Sequence, residues 1–174
     1  MPKSVFCIAT SRLQAERMVE RLQTAGFHPG SISVLVPDST PTGDFGHVKS
    51  TKASEGVTVG TSTGGLAGGA LGLLAGIGAL AIPGVGPFIA AGPIMAALSG
   101  AAIGATTGGL IGGLIGLGIP EIEAKRYEER LLTGNYLVSV HTEDGDQIDR
   151  AEEIFKGEDG EDISTVREAA VPKA

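Results

Sequence analysis

The sequence is poor in cysteine, in aromatic residues and in basic charge. Cys7 is the only cysteine among 174 residues, which excludes an intramolecular disulfide and fits a reducing compartment. There is no tryptophan, and both tyrosines, Tyr127 and Tyr136, lie in the last third of the chain. The aromatic belt of many membrane proteins is therefore missing. The opening segment MPKSVFCIAT has a short apolar run and no cleavage-site pattern, so we expect no signal peptide.

The charge balance is acidic and uneven. The chain has 13 Lys and Arg against 20 Asp and Glu, a formal net charge of −7. Residues 120–174 carry seven basic and fifteen acidic side chains. Binding to nucleic acid needs a clustered basic face, so we expect no nucleic-acid partner.

One long stretch, from Gly56 to Ile119, has no Asp, Glu, Lys, Arg or His and holds 20 of the 28 glycines. Many of them recur at every fourth residue, which puts them on one helical face where another backbone can approach closely. Such a run is a poor helix in water, because each interior glycine costs about 1 kcal/mol relative to alanine. In the hydrocarbon core of a membrane there is no water to bond, so the backbone must satisfy its own hydrogen-bonding groups by forming a helix. The predicted helix-packing residues form two ladders: Gly60, Gly64, Gly68, Gly72 and Gly76, then Gly100, Gly104, Gly108, Gly112 and Gly116.

The ladders predict a glycine-zipper hairpin of two transmembrane helices. The first runs from Gly60 to Leu80, 21 residues or about 31 Å, which matches a hydrocarbon core of about 30 Å. The return helix runs from Ile94 to about Gly118. Pro and Gly residues break the helix between them, so the predicted turn contains Pro83, Gly84, Gly86 and Pro87. A helical hairpin buried inside a protein oligomer stays open as an alternative.

Basic residues flank this stretch on both sides. Lys49 and Lys52 precede it and Lys125, Arg126 and Arg130 follow it, whereas its middle is uncharged. The positive-inside rule therefore puts both termini in the cytoplasm.

The remaining residues alternate short apolar strands with amphipathic helices. A strand at Ser4–Ala9, a helix from Thr10 or Ser11 to Ala25, and a strand at Ser31–Val36 precede the hairpin. A helix from Pro120 to Gly134, a strand at Asn135–His141, a helix from Asp144 or Asp146 to Gly157, and a strand at Asp162–Arg167 follow it. The order is that of an α+β, ferredoxin-like βαβ…βαβ domain, split by the inserted hairpin. The predicted boundaries are 1–37 and 135–169 for the two domain halves, 38–56 for a connector, 57–119 for the hairpin, 120–134 for a stalk helix and 170–174 for a tail.

No pattern of residues predicts a chemical site. Residues 60–69 (GTSTGGLAGG) resemble a phosphate loop but lack its Lys-Ser/Thr ending and a preceding strand. The three histidines, His28, His47 and His141, have no helical pairing and no second cysteine for a metal. Cys7 is better explained as a buried strand residue than as a nucleophile, and the acidic run 158–162 (EDGED) as a solvated turn. We therefore predict no catalytic residues, no cofactor and no metal, and expect a protein that is not an enzyme.

Several motifs are similar to the bacterial general-stress-protein 17M-like family, whose members include low-temperature-induced and heat-induced stress proteins. The resemblance lies in Thr51-Lys52-Ala53, Glu55-Gly56, Ile82-Pro83-Gly84, Gly86-Pro87 and Gly118-Ile119-Pro120-Glu121, and it covers nearly the whole chain. Ser54 stands where the family is expected to have proline. The resemblance implies a stress-linked protein of the bacterial inner membrane, and it implies no catalytic residues.

Together these features predict a homo-oligomeric membrane protein that assembles through its glycine-zipper helices, with membrane lipid and further copies of itself as partners and no small-molecule substrate. Two alternatives stay open. The oligomer could enclose a pore lined by threonines, although no charged ring would set ion selectivity. It could instead be a soluble cytoplasmic particle in which the hairpins bury one another.

Overall fold

The computed structural model describes residues 2–37, 78–82, 86–92 and 109–167. These residues form a mixed α/β fold in which helices cover both faces of an antiparallel sheet. In chain order the elements are β1 (Lys3–Ala9), α1 (Arg12–Thr24), a 3-10 turn (Pro29–Ser31), β2 (Ile32–Pro37), β3 (Gly78–Ile82), β4 (Gly86–Ala91), α2 (Gly109–Gly116), α3 (Glu121–Leu132), β5 (Tyr136–Thr142), α4 (Gly145–Gly157) and β6 (Glu161–Arg167).

The helix ends follow from local sequence signals. Ser11 caps α1, because its side chain accepts a hydrogen bond from the Gln14 backbone N–H at 3.2 Å. Asp144 caps α4 in the same way, accepting from the Asp146 N–H at 2.9 Å. Gly26 follows the end of α1 with φ +95°, the left-handed conformation that glycine adopts without strain. These caps confirm the predicted starts of both helices and the predicted end of α1.

The strand order in the sheet is β3-β4-β2-β5-β1-β6, and every neighbouring pair is antiparallel. The long apolar strands β1 and β5 lie inside the sheet, where Val5 pairs with Val140 and Cys7 with Val138. The N-terminal strand thus pairs, inside the sheet, with a strand from the last third of the chain. Side chains of a strand alternate between its two faces, so each central strand contributes to two cores.

The first core lies between the sheet and helices α1 and α4. Its fully buried helical members are Ala15, Met18, Val19, Leu22, Ala151 and Phe155. The second core lies on the opposite sheet face, which α2 and α3 cover. There Phe6, Ile8, Leu35 and Leu137 of the sheet meet Leu110, Leu114, Ala124, Tyr127 and Leu131 of the helices.

The predicted helical hairpin is wrong in its middle part. Gly78–Ile82, which overlaps the end of the predicted first helix, is strand β3, and Gly86–Ala91 is strand β4. Gly86 and Pro87, predicted in the turn, are the first two residues of β4; Ile82 pairs with Gly86 across the reversal. Because β4 also pairs with β2, the sheet satisfies the hydrogen-bonding groups that helix formation would otherwise have satisfied. Pro83 and Gly84 lie outside the described residues.

Helices α2 and α3, which follow these strands, both pack on the sheet of the α/β domain. Helix α2 lies inside the predicted return helix, and its leucines enter the second core. The predicted stalk helix is α3, but it packs on the sheet through Ala124, Tyr127 and Leu131 instead of standing apart from it. Within the described ranges, no helix has both the length and the apolar character required to span a bilayer.

Candidate functional site

Helix α2 presents two different faces. Leu110 and Leu114 are four residues apart and therefore share a side of the helix, and both are fully buried in the second core. Gly112 and Gly116 lie on the opposite side. A Cβ atom added to either glycine would have no atom within 4 Å. The leucines attach α2 to the domain, and the glycines leave an open surface onto which a helix backbone could pack.

An apolar side chain lies beside this open surface. Ile115 of α2 is 43% exposed, and Ile122, at the start of the next helix, is 76% exposed. Single exposed apolar residues are common, but these two flank the connection between α2 and α3. We define the α2 surface as Gly112, Ile115 and Gly116. Its two glycines are the described part of the second predicted glycine ladder.

The connection from α2 to α3 is short and fixes their relative position. Gly118 has φ +97°, and the Ile119 N–H donates to the Leu114 carbonyl oxygen at 3.2 Å. The left-handed conformation of Gly118 ends α2, as is common at helix C-termini. Ile119 itself is buried in the second core, and Pro120 is the N-cap residue of α3. The α2 surface is thereby held on a packed support.

Helix α3 is held to β6 by polar side chains. The Tyr127 hydroxyl donates to the Asp162 carbonyl oxygen at 2.8 Å, and the Ser164 hydroxyl donates to the Glu123 carboxylate at 2.5 Å. Burial, together with the Glu123 carboxylate, raises the pKa of Tyr127, so its hydroxyl stays protonated and serves as a donor. The Tyr127 ring also packs against Phe6, with ring centroids 6.2 Å apart.

Three carboxylates of the acidic run 158–162, those of Glu158, Glu161 and Asp162, form ion pairs. Arg21 lies 2.8 Å from the Glu158 carboxylate, and the Arg130 Nε lies 3.1 Å from the Asp162 carboxylate. Arg130 also pairs with Glu161. The carboxylates therefore face arginines on α1 and α3 instead of surrounding a common centre. The run joins α4 to β6 and links helices on both faces, which the simple description as a solvated turn misses.

Cys7 is a structural residue. Burial and the nearby Asp162 raise the pKa of its thiol from 9.0 to about 12, so it is protonated at neutral pH. Its Sγ contacts Gly160, where an added Cβ would overlap the sulfur and come within 2.8 Å of the Phe155 carbonyl oxygen. A protonated, buried thiol lacks the activation of a nucleophile, in line with the interpretation as a buried strand cysteine.

The remaining polar features offer no convergent chemistry. The described residues contain no group of three or more His, Cys, Asp or Glu side chains arranged for a metal ion. His28 accepts a hydrogen bond from the Gly30 N–H at 3.0 Å and thereby closes a turn. An open groove of about 700 Å³ lies between α1 and α4, and both basic and acidic side chains line it. Its charged lining residues are Glu20, Arg21, Arg150 and Glu153.

Similarity to other proteins does not define this site. No protein-family model matches the chain, and neither the curated proteins nor the solved structures contain a match. The contacts of α2, α3 and β6 are therefore the basis for any functional assignment.

The structure describes only part of the predicted helix-packing set. Gly112 and Gly116 are together on the open side of α2. The other eight ladder glycines lie outside the described residues: Gly60, Gly64, Gly68, Gly72, Gly76, Gly100, Gly104 and Gly108. The sequence reasoning missed the support beneath α2. A signal was present in the four-residue spacing of Leu110 and Leu114, which marks a buried helical side.

Proposed function

We propose that this chain is a non-enzymatic, self-assembling protein whose glycine-rich segment 57–119 packs against the same segment of further copies. The observation that carries the proposal is the α2 surface, a glycine face that is open while the leucine face behind it is buried. Close helix packing requires glycine or another small residue at the contact, and an anchored helix loses less entropy on association than a free one.

The α/β domain has a supporting role in this proposal. We infer that it is a ferredoxin-like domain split at its middle connection. The strand order β2-β5-β1-β6 and the helices α1 and α4 on one face support this inference. The sheet face that α1 and α4 leave uncovered is the one that α2 and α3 occupy. The inserted segment would thus be bound to its host domain along a sheet face as well as at its ends.

We further propose that the assembly is associated with the bacterial inner membrane, that both termini are cytoplasmic and that the protein acts under stress. The support is the absence of charge from residues 56–119 and the resemblance to the stress-protein family. Strands β3 and β4 pair within the sheet, so lipid contacts would fall to residues 57–77 and 93–108, which are outside the described ranges.

An alternative form of the same assembly is a soluble cytoplasmic particle. It is favoured by the burial of Phe88 and Ala90 in the second core, beside Leu110 and Leu114. These four residues belong to the glycine-rich segment, and their apolar side chains are buried in the α/β domain, so they need no lipid to cover them. In this variant the glycine faces bury one another and the acidic domains face water.

Flotation of the full-length protein with lipid vesicles, followed by a carbonate wash, distinguishes the membrane assembly from the soluble particle. Protein that floats and resists the wash supports the membrane assembly. Protein that stays at the bottom as large uniform particles supports the soluble assembly. Protein that stays at the bottom as a monomer contradicts self-assembly, and with it the proposed function.

A further inference from the structure

We draw no further inference here: the strongest candidate, the outer edge of strand β6, with which no described strand pairs, carries nothing because nothing in the structure shows what covers it.

Discussion

Replacing Gly112 by alanine should have opposite effects on the fold and on the assembly. Gly112 lies inside α2 with ordinary helical φ, and an added Cβ would meet no atom within 4 Å. An interior Gly→Ala change stabilises a helix by about 1 kcal/mol. For a chain of this size that raises the unfolding temperature by about 2–4 °C. The same Cβ would keep a neighbouring helix backbone from close approach, so the assembly should weaken.

The measurement is thermal unfolding at high dilution, where association contributes least, together with particle sizing at high concentration. Leu114→Ala is the matched control on the other side of α2. It removes a fully buried side chain and should cost about 2–5 kcal/mol of unfolding free energy. A Gly112→Ala variant that is less stable at high dilution would refute the open glycine face. A Gly112→Ala variant that assembles as well as the wild type would show that this glycine face is not part of the contact between copies.

Three further predictions concern the packing of the α/β domain. Gly160→Ala should destabilise the fold by about 1–3 kcal/mol in urea unfolding, because its Cβ would overlap Cys7, whereas Gly145→Ala, with open space around it, should be neutral or better. Tyr127→Phe should cost about 1 kcal/mol, since it leaves the partly buried Asp162 carbonyl without its donor; an unchanged midpoint would contradict this hydrogen bond. Stability should also fall as the pH rises from 9 toward 12, because the unfolded thiol of Cys7 ionises there while the folded one stays protonated, and Cys7→Ala should reduce that slope.

Much of the domain can be predicted from the sequence because its signals are local. Caps such as Ser11 and Asp144 fix the start of a helix, and Gly26 fixes an end, through the conformation of a few neighbouring residues. The strand alternation of β1 and β5 is interrupted by burial on both faces, but their short length and β-branched content still distinguish them from helices. These elements agree with the predicted order.

The prediction fails where the outcome depends on distant partners. Residues 78–82 (GALAI) and 86–91 (GPFIAA) are short apolar runs, which fit a buried strand and a helix segment equally well. Pairing of β4 with β2 decides between the two, and that partner lies about 50 residues earlier in the chain. The role of Tyr127 is also hard to predict from the sequence, because its burial and its hydrogen bond to the Asp162 carbonyl depend on the packing of α3 across the sheet.

Self-assembly through the glycine-rich segment is tested most directly by sedimentation velocity of the full-length protein without detergent. We compare the wild type with Gly68→Leu/Gly108→Leu, which fills both predicted ladders, and with Ala70→Leu/Ala102→Leu, which introduces two leucines away from them. The prediction is a large uniform species for the wild type and the control, and a shift to the monomer for the ladder variant. An unchanged sedimentation coefficient in the ladder variant, or a monomeric wild type, would contradict it.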